Sequence, residues 1–441
     1  MRWTTGGLGA GALGVALLTR IHNARAYPAD WGFDARYNWE YIVALSRAWR
    51  LPPPDAGWST GDPPLYFAVA ALLVRAAPNW LVLVPLLNVL LGLAVAGLAV
   101  AMVRAVAPGD ALRAALAAGL VLFLPAHLHM SAMVNEELLA AAFTALALWI
   151  VATPDPPADP RHALLRATLA GAVAGLALLS KLTGALAVAC VALAIAADAA
   201  RRRTLPGPAL RLAAALMAAF VAGGWFYARN RILYGYFQPY GLPAHELMFS
   251  MPPGSRSLLD YVFVPVSTFT NPQLLDPDLL HSVWGSAYAS VWFDAHRAFL
   301  PTDSEPVRLL GTAVLLLALL PTAAFLTGLV QGAKRAVRGD PVDVPLVGLV
   351  VLTLAGFAAY TWQNPWFAVI KGTSLLGLCL PYAVYTSGTL VAWMRRGRIQ
   401  AVSIATLLAL LAVGVTASGT FNGLFERVEV SGLTWEPVEP R

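Results

Sequence analysis

Long runs of apolar residues are the feature that most restricts how this chain folds. A helix that crosses a bilayer needs about 20 mostly apolar residues. Only 12% of the 441 residues are charged and 58% are hydrophobic, too few charges for a soluble surface of this size. A disordered chain and a soluble nucleic-acid-binding protein are therefore excluded, and the class is an all-α polytopic membrane protein. The eleven predicted spans are residues 4–21, 82–103, 111–130, 136–153, 164–180, 183–199, 209–228, 307–330, 343–362, 367–391 and 400–420.

A twelfth apolar stretch, residues 64–77, is too short to cross and is predicted to be an interfacial helix. Charge placement supports this prediction. If residues 64–77 do not cross the membrane, five groups of basic residues lie on the same side of it as Arg2. Basic residues accumulate on the cytoplasmic side. The N-terminus is therefore expected in the cytoplasm. The basic groups are Arg104 with Arg113, Arg161 with Arg166, Arg201–Arg203 with Arg211, Lys334 with Arg335 and Arg338, and Arg395 with Arg396 and Arg398.

The chain is expected to form one transmembrane domain, residues 1–420, followed by an external tail, residues 421–441. Two external loops, residues 27–81 and 231–305, are unusually long, and loops of that length are commonly functional or disordered. The aromatic residues of the second loop favour an ordered segment lying against the membrane face. The first span also resembles a signal peptide with an A-x-A-like site at residues 24–26, but its length favours a retained helix.

The first external loop carries polar side chains at helical spacing. Asp34, Asn38 and Tyr41 recur at i, i+4 and i+7, so one helix face presents all three. Asp34 is also well placed to cap the helix N-terminus, and this capping role is compatible with a functional one. Further along, Asp62 and Tyr66 flank the start of the short interfacial helix. An alternative interpretation is a simple helix start, with Tyr66 as an interfacial anchor.

A second acidic pattern, Asn135 followed by Glu136, begins a predicted span at its external end. On its own it is also typical of an N-cap with acids in the first turn, which the helix dipole favours. His127 and His129 lie nearby, but at i, i+2 they point to different helix faces. A metal shared by these two histidines is therefore not expected.

Three cations fall on the same side as these acids: Lys181, Arg229 and Lys371. Lys181 has the alternative interpretation of a lysine that extends to the interface. Lys371 lies within the external end of a predicted span, where a charge is costly and by default functional. Acidic and basic groups thus converge on one membrane face.

In their order and spacing, these residues resemble the GT-C superfamily of glycosyltransferases that use polyprenol-phosphate sugars. The pattern is most similar to that of protein O-mannosyltransferases and the lipid A aminoarabinose transferase, over about residues 1–390. Ala35 follows Asp34 where the family often has Glu, and Asp62 stands where it often has His or Lys. The matching features are Asp34, the run Asp62-Pro63-Pro64-Leu65-Tyr66, Asn135-Glu136, Leu178 to Lys181, Trp225 with Arg229-Asn230 and Tyr234-Gly235, and Lys371 with Pro381.

The resemblance implies a GT-C-type bundle of about eleven transmembrane helices in the inner membrane of a bacterial cell. It also implies that the protein moves a sugar, with inversion, from a polyprenyl-phosphate carrier to an acceptor hydroxyl outside the cytoplasm. Asp34 is then the catalytic base. Lys371, Arg229 and Lys181 bind the donor phosphate, and the substrate pocket is formed by Asn38, Tyr41, Asp62, Tyr66, Asn135 and Glu136.

No cofactor is expected and no metal site is indicated, although a divalent metal stays possible. The expected partners are the lipid-linked donor and membrane lipids, and no nucleic acid. Two other classes stay open, a transporter or flippase of lipid-linked sugars and a non-catalytic membrane subunit. Mutation of Asp34 separates them, because only an enzyme loses turnover while it keeps donor binding.

Overall fold

The protein is helical throughout the part of the chain that the computed structural model describes, and no β-strand occurs there. This confirms the all-α class. The described residues are 2–153, 160–202, 207–238, 255–273, 276–296, 299–300 and 304–426. Most of the predicted external tail, residues 427–441, lies outside them.

The helices are numbered in chain order. The first eleven are α1 Arg2–Ala26, α2 Ala35–Ala48, α3 Leu65–Ala76, α4 Leu83–Val106, α5 Ala111–Leu122, α6 Pro125–Met130, α7 Glu137–Ala152, α8 Pro160–Ser180, α9 Gly184–Arg202, α10 Gly207–Ala219 and α11 Trp225–Tyr234. The other seven are α12 Ser267–Thr270, α13 Pro277–Leu280, α14 Val283–Trp292, α15 Glu305–Val337, α16 Asp343–Gln363, α17 Cys379–Met394 and α18 Arg398–Gly419.

Eight helical stretches within the described residues are long and apolar enough to cross a membrane, as expected for a multi-pass membrane protein. They are Leu83–Val106, Pro160–Ser180, Gly184–Arg201, Gly207–Tyr234, Glu305–Val337, Asp343–Gln363, Phe367–Met394 and Arg398–Gly419. The count of eleven spans therefore remains a prediction. The other three predicted spans correspond to α1, to α5 with α6, and to the 16-residue α7.

The predicted span at residues 111–130 is broken rather than continuous. Helix α5 ends at Leu122, and Leu124 is extended (φ −80°, ψ 117°) before Pro125 begins α6. The proline ring disfavours helical geometry in the residue before it, which explains the break. The chain then turns at residues 131–136 and enters α7. The break thus brings the Asn135-Glu136 pattern to the start of α7.

The short stretch at residues 64–77 forms α3, whose 12 residues bear out the prediction of a short helix. One face packs against α2 in an apolar cluster. The Tyr41 and Phe67 rings lie 4.4 Å apart, and Tyr66 and Ala70 are fully buried. The orientation of α3 along the membrane plane stays a prediction.

Close backbone contact between α8 and the α10–α11 helix positions one side of the site. A π-helical turn, Phe220–Gly224, joins α10 to α11. A Cβ atom added at Gly223 would lie 1.9 Å from the Gly175 carbonyl oxygen, and one at Gly171 would lie 2.1 Å from that of Ala215. Small residues allow this approach between membrane helices. The end of α8, which leads to Lys181, is thereby held beside α11.

Candidate active site

Charged side chains gather at one end of the bundle, where α1, α8 and α16 end and α7 begins; we call this the site end. Asp34 lies there between α1 and α2 in a left-handed conformation (φ 55°, ψ 6°). Such a conformation is uncommon for any residue except glycine, although Asp is among those that tolerate it. The Asp34 carboxylate makes no capping hydrogen bond to α2. The structure therefore does not show the alternative role, in which the Asp34 side chain caps α2.

Lys371 pairs with Asp34 across 337 residues of sequence, with its Nζ 2.7 Å from Asp34 Oδ2. The same Nζ lies 5.1 Å from the centre of the Phe33 ring, within cation–π range. Lys371 stands between two 3₁₀ turns, Phe367–Val369 and Gly372–Leu378, rather than in an α-helix. The predicted span at 367–391 is therefore irregular at its site end. The carboxylate that pairs with Lys371 is Asp34, whereas Glu136 pairs with Lys181.

Lys181 forms a second ion-pair cluster. Its Nζ donates to Glu136 Oε1 at 2.9 Å and to Glu137 Oε1 at 2.6 Å. Burial lowers the pKa of Lys181, but the two carboxylates outweigh it, so the pKa lies well above the ordinary value. Lys181 is thus a fully charged counter-ion, rather than a lysine that merely extends to the interface.

Three asparagine side chains hold the backbone that carries Glu136. Asn88, in the second turn of α4, donates to the carbonyl oxygens of Met133 and Asn135, the latter at 3.1 Å, and to the Tyr66 hydroxyl at 3.1 Å. Asn88 is fully buried and was not among the predicted site residues. The available signal was a lone amide inside an apolar helix, where polar groups need partners.

The other two asparagines were predicted to line the pocket. Asn38 donates to the Val134 carbonyl at 2.9 Å and accepts a bond from the Ser59 hydroxyl at 2.8 Å. Asn135 accepts a bond from the Glu137 backbone N–H at 3.0 Å, so its side chain caps α7. Both are buried, which makes them supports of the acidic turn in this structure.

Asp62 lies among the other acids and carries the most perturbed carboxyl group of the site. Loss of hydration, followed by the charges of Glu136, Asp34 and Glu137, raises the pKa of Asp62 to about 8, although Lys181 opposes the shift. Asp62 is therefore mostly protonated at neutral pH. Its electrostatic coupling to both ion-pair clusters shows that the two lie in one region.

Arg229 differs from the two lysines. Its Nη1 donates to Asn230 Oδ1 at 3.1 Å, and its guanidinium lies 5.6 Å from the Tyr234 ring centre. Within the described residues it forms no ion pair with a carboxylate. Its charge acts on the Tyr41 hydroxyl, as does that of Asp62, so Arg229 belongs to the same region.

The two histidines near the acidic turn have separate environments. His127 Nδ1 lies 3.0 Å from Nη2 of the fully buried Arg20, and His129 stacks on Phe299 with ring centres 4.3 Å apart. No group of three or more His, Cys, Asp or Glu side chains in the described ranges is arranged to hold a metal ion.

Comparison with known proteins gives the class of fold. Residues 56–230 match the family model of dolichyl-phosphate-mannose-protein mannosyltransferases, and no curated protein sequence matches the chain. The chain is similar in structure to the oligosaccharyltransferase AglB from Archaeoglobus fulgidus, solved with an inhibitory peptide and dolichol-phosphate. The TM-score is 0.50 at 13% identity, covering 96% of this chain and 57% of the longer AglB chain.

A structure of the Archaeoglobus fulgidus oligosaccharyltransferase tethered to an acceptor peptide aligns with a TM-score of 0.52 at 13% identity. The alignment covers 96% of this chain and 56% of that one. ArnT from Cupriavidus metallidurans aligns with a TM-score of 0.45 at 15% identity, covering 89% of this chain and 79% of ArnT. The fold and the family model together confirm the resemblance of this chain to the GT-C superfamily of glycosyltransferases.

Proposed function

We propose that the protein is a membrane glycosyltransferase that moves a sugar from a polyprenyl-phosphate carrier to an acceptor hydroxyl on the extracytoplasmic side of a bacterial inner membrane. The observation that carries the proposal is the Asp34–Lys371 pair. Asp34 is presented on a left-handed turn, its side chain is 41% exposed, and the Lys371 amine lies 2.7 Å from its carboxylate. An exposed and positioned carboxylate can take a proton from an attacking hydroxyl.

The reaction is a single displacement. The acceptor oxygen attacks the anomeric carbon of the donor while Asp34 takes the hydroxyl proton as general base. The bond between the anomeric carbon and the phosphate oxygen breaks, and its electron pair leaves with the polyprenyl phosphate. One displacement inverts the anomeric configuration.

The leaving phosphate needs positive charge as negative charge grows on it. Lys371, Arg229 and Lys181 are the candidates, and their surroundings rank them. Lys181 already neutralises two carboxylates and Lys371 one, whereas Arg229 has none among the described residues. Arg229 is therefore the first choice for the phosphate, with Lys371 able to contact both Asp34 and the donor. Tyr41, Asp62, Tyr66 and Glu136 complete the proposed pocket beside them.

The proposal is tested with purified protein in liposomes that contain lipid-linked sugars extracted from bacterial membranes. Mass spectrometry follows loss of polyprenyl-phosphate sugars and release of free polyprenyl phosphate. Comparison of cell-surface glycans and lipids with and without the protein identifies the sugar and the acceptor. Donor consumption that is the same with Asp34→Asn protein as with the parent would contradict the proposal. Movement of intact donor across the bilayer without consumption would support a flippase instead.

A further inference from the structure

The second long loop contains an apolar surface outside the spanning helices, at residues 258–266. Six large side chains there are between 47% and 78% exposed: Leu258, Leu259, Val262, Phe263, Val264 and Val266. Contiguous exposed apolar patches are rare on surfaces that face water and mark contact with a protein or a membrane. We propose that residues 258–266, here called the apolar turn, insert into the lipid leaflet at the site end and contact its acyl chains.

The charged residue of the apolar turn is buried beneath this surface. Asp260 is the only charged residue between positions 257 and 273, and it is 3% exposed. Its carboxylate accepts a bond from the Ser257 hydroxyl at 2.7 Å and lies 3.8 Å from Arg256 Nη1 and 3.6 Å from His281 Nδ1. Burying a carboxylate costs free energy, and a loop in water would place it outward. In the apolar turn the carboxylate is buried and the apolar side chains are exposed, which is the reverse of a loop in water and suits contact with lipid.

The apolar turn is fixed at the depth where a spanning helix ends. The Tyr261 hydroxyl donates to the Ala358 carbonyl at 3.2 Å and lies 2.9 Å from Thr361 Oγ1, both near the end of α16. The Tyr261 and Trp362 rings lie 6.0 Å apart, and Trp362 is 49% exposed. Tryptophan and tyrosine concentrate at membrane–water interfaces.

The surface continues an exposed apolar face of α16, a helix long and apolar enough to span a membrane. Val351, three turns earlier on α16, is 57% exposed and lies inside a candidate span. A lipid leaflet that covers Val351 and ends near Trp362 also reaches the apolar turn beside it. Continuity with the lipid-facing side of α16 therefore favours acyl chains over a protein partner as the occupant.

Lipid contact at this point connects to the site through α14. In chain order, the apolar turn is followed by α12, α13 and α14, and α14 packs on the 3₁₀ turn after Lys371. A Cβ atom added at Gly372 would lie 2.5 Å from the Val291 backbone nitrogen. Insertion of the apolar turn thus restrains the loop that supports the neighbour of Lys371. The inference does not depend on the chemistry that the site performs.

The test places a nitroxide label on the apolar turn by Val262→Cys, in protein reconstituted into phosphatidylethanolamine–phosphatidylglycerol liposomes. The native cysteines, Cys190 and Cys379, are buried, and unsubstituted protein controls for their labelling. Asp278→Cys, at an exposed position on the same loop, is the matched control. Oxygen collides preferentially with labels in lipid, and a water-soluble nickel complex with labels in water.

We expect the label at position 262 to favour oxygen over the nickel complex by several-fold relative to the label at position 278. Equal accessibility of both labels to nickel overturns the proposal. Protection of the position 262 label from both reagents also overturns it, because it would indicate a protein partner or a second copy. A label at Val266→Cys gives the same comparison if the first variant folds poorly.

Discussion

The two ion-pair clusters of the site are built differently. The Asp34–Lys371 pair joins one carboxylate to one amine, and the Asp34 side chain is 41% exposed. In the other cluster, Lys181 holds two carboxylates that are only 11% and 13% exposed, on a backbone tied down by asparagine side chains. The first arrangement leaves an accessible base, whereas the second fixes charge and geometry. Both clusters pair a lysine with acidic side chains at one end of the bundle. The Asp34–Lys371 pair is suited to take part in a reaction, whereas the Lys181 cluster is suited to support the structure around it.

The largest effect is expected at the accessible pair. Asp34→Asn should lower turnover by roughly 10²–10⁴-fold, because the amide cannot take the acceptor proton. Binding of undecaprenyl phosphate should persist. Donor consumption in liposomes measures the first quantity and native mass spectrometry the second. Asp55→Asn, an exposed carboxylate on the same loop, is the control and should behave as the parent. Near-normal turnover of the Asp34 variant would remove it as the base.

Mutation of the cluster formed by Lys181, Glu136 and Glu137 should lower the stability of the protein. Lys181→Met leaves Glu136 and Glu137 without their counter-ion, and removal of one partner from a buried ion pair costs about 3–5 kcal/mol. We expect a fall near the lower end of that range, measured by thermal or denaturant unfolding in detergent. Adding Glu137→Gln should recover part of the loss, and Lys334→Met at an exposed site should change little.

Lys371→Met sharpens the contrast between the clusters. Its partner Asp34 is substantially exposed, and solvated pairs contribute only about 0.2–1 kcal/mol to stability. This variant should therefore lose activity with little loss of stability, the reverse of the Lys181 variant. Equal destabilisation by the two substitutions would show that the clusters do not differ as described.

Arg229 is expected to act on donor affinity. Arg229→Gln removes a charged donor worth roughly 1.5–3 kcal/mol, which corresponds to about 10- to 100-fold weaker binding. Titration with undecaprenyl phosphate measures the affinity. Arg231→Gln, an exposed arginine two positions along the same helix, is the matched control. Unchanged affinity in the Arg229 variant would shift the phosphate role to Lys371.

The last effect concerns pH. The pKa of Asp62 is raised from 3.8 to about 8, so between these values the unfolded chain has lost a proton that the folded chain keeps. Stability therefore falls as pH rises through this window. Asp62→Asn removes that loss, so the melting temperature of the variant relative to the parent should rise between about pH 5 and pH 8. A difference that is independent of pH would contradict the raised pKa. Glu40→Gln on the exposed face of α2 serves as the control.

Much of the site could be predicted from sequence because its residues stand at the ends of apolar runs. Lys371 and Asp34 were both identified in this way, as a cation and an acid on one membrane face. Their pairing was not, since nothing in hydropathy distinguishes Asp34 from Glu136 as a partner. Asn88 was missed because its role depends on three hydrogen bonds to other segments of the chain. An isolated amide in an apolar helix does not reveal those partners.

The sequence by itself determined the class of protein, since backbone groups in lipid must be satisfied internally and long apolar runs therefore become helices. It also placed the acids and cations at helix ends, where charge is tolerated. Only the tertiary structure decided which cation meets which carboxylate and which side chains support the acidic turn. Those choices depend on the Pro125 break, on the close approach of α8 to α10 and on the left-handed turn at Asp34. The Pro125 break has a local cause in the proline ring, but the segments that these features bring together are far apart in the chain. Their contacts are set by tertiary packing, which a local sequence pattern does not show.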